Sequence, residues 1–305
     1  MEKVGTPKHE PVPIGDVATP PFVRLPDPAG LFALRAQRFR KLAEDHDLKP
    51  YLLFLAGLCD AQHRLQEGLP PPDLPEAPAL ARAREYGMPP LDRGRFLADP
   101  VFELTLERFL SLARDVVMPA AAASALALVN AANLPDRYEM ARAVLANTIP
   151  DGQVAEHVCV AAALQVHFAR LAAGLDAASL VPVGDGACPV CGGPPATSMV
   201  VGWLGAHGAR YCGCGLCGTL WNYVRIKCAL CSSTKGISYK EIDGASASIK
   251  AETCSICNGY LKVLHQHKDP SLDIIADDIA SLALDLLMRE SGFRRGGVNP
   301  YLIGY

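Results

Sequence analysis

Four C-x-x-C pairs in one stretch constrain this chain more than anything else in it. The pairs are Cys188/Cys191, Cys214/Cys217, Cys228/Cys231 and Cys254/Cys257. There are 22 residues between the first pair and the second, and 22 between the third and the fourth. The whole unit therefore repeats with an offset of 40 residues. A further cysteine crowds the second pair in "RYCGCGLCGTLW", but the offset carries Cys212 onto Glu252, so Cys212 stands outside the repeat.

Two thiolates at this spacing on a tight turn hold one side of a tetrahedral ion, and a second knuckle brought alongside by a hairpin completes it. In the first unit "TSMVVGWLGAHGARY" supplies the hairpin, with Gly205 and Gly208 near its turn; in the second "GISYKEIDGASASIKAE" does so around Asp243-Gly244. Small residues follow the knuckles at Gly192, Gly218 and Ser232. The expected ligand sets are Cys188, Cys191, Cys214 and Cys217 for site 1, and Cys228, Cys231, Cys254 and Cys257 for site 2. Pairing the two inner knuckles instead would strand the outer ones, with 62 residues between them. A thioredoxin-like motif needs one C-x-x-C at a helix start in a βαβ context, which four pairs in hairpins do not resemble.

The 305 residues are half hydrophobic, enough for a sizeable core. The start lacks a basic segment followed by an apolar one, so no secretory signal is expected, and no stretch reads as a membrane span. A cytoplasmic location follows, where paired cysteines serve metals or redox chemistry rather than structural disulfides.

Residues 30–180 read as nearly all helix. Leu31, Leu34, Phe39 and Leu42 share one face, as do Leu52, Leu55, Leu58, Cys59 and Leu65. The breaker "LPPPDLPEAP" follows, then a helix after Pro119 and a long one near 152–174 ending at Gly174. His157, His167, Cys59 and Cys159 are expected in the core. After the cysteine segment, "DPSLDIIADDIASLALDLLMRESGF" reads as one helix, capped by Ser271 and stopped at Gly292, with Ile275, Ile279, Leu282 and Leu286 as its apolar stripe. Asp277 and Asp278 are expected to serve its first turns rather than catalysis, because adjacent helical residues do not face each other.

The expected fold is thus an all-α domain followed by two tandem zinc-ribbon-like four-cysteine β modules and a C-terminal helix. The boundaries are a Pro-rich tail at 1–27, the helical domain at 28–183, the modules at 184–226 and 227–269, and the helix and tail at 270–305. "GTLWNYVRIK" alternates and is expected to be a strand joining the modules. Trp221 and Arg225 on it are candidate partner contacts, with packing over a site as the simpler role. His265 and His267 in "LKVLHQHKD" read as a surface strand, since both four-cysteine sets are complete without them.

Function classes narrow from here. Four cysteines per ion leave no open position for Lewis-acid chemistry, and the donor set admits iron as well as zinc. Residues 188–269 carry eight Lys/Arg against four Asp/Glu. Two zinc tetrathiolate sites would cancel that surplus, so no basic field for nucleic acid remains. No phosphate-binding loop, dinucleotide fingerprint or nucleophile elbow occurs, and no small-molecule substrate is expected.

"CPVCGG", "RYCGCGLCGTLWNYVRIKCALC", "AETCSICNGYLKVL" and "DDIASLALDLLMRESGFRRGGVNPYL" together resemble the formate dehydrogenase accessory (formation) protein family, the FdhE type. The resemblance is closest from 188 onward and extends over the helical half, including "YLLFLAGLCDAQ". It implies a non-enzymatic cytoplasmic factor for maturation of respiratory formate dehydrogenases, acting on their catalytic subunit. It also implies rubredoxin-like, iron-binding modules, with the eight knuckle cysteines as ligands. A rubredoxin-like iron protein passing electrons to a partner and a nucleic-acid-binding zinc ribbon are the alternative functions.

Overall fold

The computed structural model describes residues 19–244 and 247–302. Residues 1–18 of the expected tail lie outside the described residues.

Among the described residues seven helices build the N-terminal half: α1 (Pro28–Leu42), α2 (Lys49–Arg64), α3 (Ala77–Glu85), α4 (Pro100–Ala113), α5 (Ala120–Ala131), α6 (Leu134–Ala146) and α7 (Val154–Ala173). Their starts follow local chemistry. Asp27, Asp99 and Asn133 accept backbone N–H groups in the first turns of α1, α4 and α6, and each of these helices has proline in its first turn. The Ala-rich α7 is buried on all sides from His157 to Ala169, with α2, α4, α5 and α6 packed around it. Small side chains permit that close approach. Cys59 and Cys159 lie in this core. Among the described residues no helix is long and apolar enough to cross a membrane.

His157 and His167 are both buried. His157 Nδ1 lies 2.6 Å from the Gln153 carbonyl. His167 sits among the rings of Phe96, Phe102 and Phe168. Burial holds the His167 imidazole down at about 4, with Arg170 adding to the effect and Asp99 opposing it. Its folded pKa lies below the ordinary value of about 6.5. Its contribution to stability is therefore present above that value and is lost as pH falls through 4, on the order of 3 kcal/mol in all. Chemical denaturation of wild type and His167→Gln between pH 7 and 4 measures this. The extra loss of stability in acid that His167 causes in wild type should be absent in the variant, whatever the thiols contribute in both.

The second half is one mixed sheet. Its strands are β1 (Val23–Arg24), β2 (Pro195–Val200), β3 (Arg210–Cys214), β4 (Leu220–Asn222), β5 (Ile237–Lys240), β6 (Ile249–Cys254), β7 (Gly259–His265) and β8 (Arg294–Arg295). Their order is β1-β4-β3-β2-β7-β6-β5, with β8 also on β7. Each cysteine unit makes an antiparallel three-strand ribbon, β2-β3-β4 and β5-β6-β7. The two ribbons join in one sheet: β2 pairs with β7 in parallel, Ser198 beside Val263 and Val200 beside His265. Both strands are covered on both faces, so neither shows the alternation that marks a half-exposed strand.

Three further expectations change. Residues 21–24 of the tail are fastened to the sheet: β1 pairs with β4, and Tyr211 donates to the Pro21 carbonyl at 2.7 Å. The joining strand is only β4, after which Val224, Arg225 and Ile226 are exposed. The C-terminal helix is two short ones, α8 (Ala276–Ala280) and α9 (Leu282–Glu290).

Buried charge explains that last break. Lys262 on β7 is fully buried, and its ammonium donates to the Asp278 and Ser281 carbonyls at 2.7 and 3.0 Å. A continuous helix would need those acceptors for itself. The apolar stripe splits accordingly, with Ile275 and Ile279 buried ahead of the break, Leu284 and Met288 after it, and Leu286 exposed. Asp273 rather than Ser271 supplies the cap, accepting from the Ile275 and Ala276 N–H groups at 2.9 and 2.8 Å. Ser271 instead bonds Arg38 of α1.

Asp277 and Asp278 do diverge. Asp277 meets Arg38 at 2.6 Å, while Asp278 joins Lys262, Arg295 and Asn299. These contacts clamp the C-terminal segment to α1 on one side and to the sheet on the other.

Candidate metal centres

Each knuckle is a turn closed on itself by backbone hydrogen bonds. Cys188 N–H donates to the Gly193 carbonyl at 2.8 Å, and Cys228 N–H donates to Ser233 at the same distance, one repeat later. In return Gly192 and Ser232 donate to the carbonyls of Cys188 and Cys228 at 2.9 and 3.0 Å. The residue after each knuckle takes a left-handed conformation: φ is 73° at Gly192, 74° at Gly218, 63° at Ser232 and 51° at Asn258. Glycine and, next, asparagine adopt that region with least strain. This shared backbone need, rather than small size, is what the fifth positions have in common, and it brings Asn258 into the pattern.

The turns point their sulfurs inward, and the β2–β3 and β5–β6 ribbons bring facing knuckles together. Cys188, Cys191, Cys214 and Cys217 form one set, and Cys228, Cys231, Cys254 and Cys257 the other, with all sulfurs of a set within 4.8 Å of one another. The closest sulfur pairs are 3.6 Å for Cys188–Cys217 and 3.5 Å for Cys191–Cys214. In the second set they are 4.0 Å for Cys228–Cys257 and 3.7 Å for Cys231–Cys254. A tetrahedral ion with metal–sulfur bonds of about 2.3 Å separates its ligands by roughly 3.8 Å. Both sets therefore fit such an ion without rearrangement. Burial pushes the Cys188 thiol well above its ordinary range and the Cys228 thiol up to about 12. Thiolates at these positions call for a cation between them.

The two sets differ in surroundings. Site 1 lies in the core, its cysteines 0–2 % exposed. Leu91 and Arg93 donate backbone N–H groups to the Val190 and Cys191 carbonyls at 2.9 and 3.1 Å, so the segment between α3 and α4 is stitched to the first knuckle. The Arg93 side chain continues to the Val144 carbonyl and to Asn147 at the end of α6. Asp92 accepts from the Gly94 N–H at 2.9 Å and holds this turn in shape, the one local signal for it in the sequence. A cavity of about 390 Å³ lies beside site 1, between α6, α7 and the C-terminal segment, lined by Leu145, Ile149, Leu216 and Val298. Site 2 is at the surface: Cys231 is exposed and Cys257 half-buried.

Cys212 belongs to neither set. It is buried on β3, where burial pushes its thiol up to about 12. Its counterpart one repeat later, Glu252, accepts from Arg210 at 2.8 Å and from Tyr239 at 3.0 Å. Arg210 also donates to the Lys227 carbonyl, so it ties one unit to the other. Trp221 is 2 % exposed and offers a partner no surface, whereas Arg225 is exposed. His265 ends β7, half-buried, and His267 is exposed beyond it, their rings 5.4 Å apart.

The same three-part organisation is found in known proteins. Three family models match in succession: FdhE, N-terminal, over residues 20–185; FdhE, central domain, over 187–225; and FdhE, C-terminal domain, over 226–302. The chain belongs to the FdhE family. This is the formate dehydrogenase accessory family that the knuckles and the "DDIASLALDLLMRE" segment resemble. A Protein FdhE homolog of Rhizobium meliloti is 47 % identical over 298 residues, 97 % of either chain. Another, of Proteus mirabilis, is 36 % identical over 285 residues, 92 % of this chain and 91 % of that one. The crystal structure of the FdhE protein from Pseudomonas aeruginosa, 34 % identical, superposes with a TM-score of 0.82 over 93 % of this chain and 99 % of that one. At that level the two chains share one overall fold.

Proposed function

We propose that this FdhE-family chain is a non-catalytic accessory factor that a respiratory formate dehydrogenase needs for its maturation. In this reading it binds that enzyme's catalytic subunit, in the cytoplasm, on a scaffold pinned by two metal ions. The observation that carries the reading is the closure of both sulfur sets. Four thiolate donors fill a tetrahedral ion and leave no position for a substrate oxygen or a reactive water. Cys188, Cys191, Cys214 and Cys217 would hold one ion and Cys228, Cys231, Cys254 and Cys257 the other, iron first and zinc as the alternative. Such an ion supplies cross-linking of the knuckles. The protein's own residues do the rest: left-handed turns aim the sulfurs, and the Leu91–Arg93 segment docks site 1 on the helices. Eight thiols kept reduced for a metal suit a reducing compartment, which supports the cytoplasm.

Deleting the gene in its host and assaying formate oxidation by membranes tests the proposal. Activity should be lost and restored by the wild-type gene in trans. Full activity in a strain without a second family member would overturn it.

A further inference from the structure

We propose that the two sulfur sets have different tasks: site 1 is a sealed centre, and site 2 is the exchange-competent one, with Cys231 the thiolate that yields to an incoming soft donor such as a thiol. This rests on reading both sets as metal sites.

Ligand exchange at a filled tetrahedral ion needs room for a donor to approach as another leaves. Site 1 denies that room. A side-chain carbon at Gly192 would lie 3.0 Å from Pro89, at Gly218 3.0 Å from Leu31, and at Gly215 2.7 Å from the Val298 carbonyl. Three segments distant in sequence thus close over its knuckles: the start of α1, the Pro89–Arg93 segment and the C-terminal residues after β8. The neighbouring cavity meets the ligands only at Cys214, which is 2 % exposed.

Site 2 is less enclosed. A carbon at Gly186 would lie 1.9 Å from the Ala229 carbonyl, and Leu230 packs on Gly259 and Gly296. The site carries exposed Cys231 and, inside the Cys254–Cys257 knuckle, Ile256 at 62 % exposure. Access, with thiolate character, decides which cysteine ligands react. By access Cys231 comes first and Cys257 second. The exchange is a substitution without electron transfer. With a metal held there, the entering donor's bond would form as the Cys231 sulfur bond breaks, and the freed thiolate would take a proton from water. A thiol that enters loses its own proton to solvent in the same exchange.

The test uses the full chain loaded with zinc, first analysed for two ions per chain. The chromogenic chelator 4-(2-pyridylazo)resorcinol is then added without denaturant. One equivalent should leave at least ten times faster than the other. Brief iodoacetamide treatment of the same sample, read by peptide mass spectrometry, should label Cys231 before any site 1 cysteine. Cys231→Ser should lose the fast equivalent and keep the slow one. Two ions leaving at one rate, labelling that begins at site 1, or loss of the slow equivalent in Cys231→Ser would each overturn the inference while leaving the two-site reading intact. Fewer than two ions in the loaded wild type would overturn that reading, and this inference with it.

Discussion

Cys188→Ser is expected to leave site 1 without its metal and the chain without a cooperative fold. Structural zinc binding contributes about 10–16 kcal/mol in small metal-folded peptides. Whole domains are stable by only about 5–15 kcal/mol. Site 1 lies in the core and is bonded to the helical half at two places, through Val190 and Cys191 to the Leu91–Arg93 segment and through Gly215 to Gln165 of α7. Loss of its ion should therefore spread into the helical half rather than stay local. The expected signs are insolubility or a broad thermal transition, with metal content reduced. Cys212→Ser, only two residues from Cys214, is the control. It should keep both metals and cost roughly 1–2 kcal/mol for a hydroxyl placed where the thiol is fully buried. A Cys188→Ser protein with wild-type thermal stability and two metals, or metal loss in Cys212→Ser, would contradict the ligand assignment.

The second large effect is expected at Lys262. Its ammonium contacts Asp278 at 3.3 Å as well as Asp285, and Arg295 contacts the same two carboxylates. Tyr260 donates to Asp285 at 2.7 Å, and the two cations balance the two anions out of water. Removing one cation leaves a buried negative charge, a loss of about 3–5 kcal/mol for pairs of this kind. Lys262→Met should accordingly lower Tm by on the order of 10 °C. Pairing it with Asp278→Asn removes the excess anion, so the double variant should lose less than the two single variants added together. Differential scanning calorimetry of the three variants decides this. Full additivity would mean the four groups do not act as a set.

Burial would raise the Asp278 pKa, but Lys262 and Arg295 hold it below the ordinary carboxylate range. Its contribution is therefore present above the unfolded value, near 3.9, and lost as pH falls through the folded one.

Much of this architecture is legible in the sequence because metal knuckles are local. The eight cysteines that the 40-residue repeat pairs are the eight whose sulfurs the structure gathers into two sets. The helices are equally legible, since apolar spacing and Asp or Asn caps act within a few residues of each other. What depends on distant partners is not. The parallel pairing of β2 with β7 joins Ser198 to Val263, and neither strand alternates. The break at Ser281 needs Lys262, from another element, to take the helix's own carbonyls. Arg93 lies in a polar run that looks like any turn, yet it fastens the helical half to site 1. Trp221 alternates as if half-exposed, but its side chain joins the hydrophobic core and is buried.

The most direct test of this account is elemental analysis of the protein purified from its native host without added metal or oxygen. Two ions per chain, iron or zinc, with the eight knuckle thiols protected from alkylation relative to the chelated protein, is the predicted result. Chains that fold and support formate dehydrogenase maturation with one ion or none would contradict it.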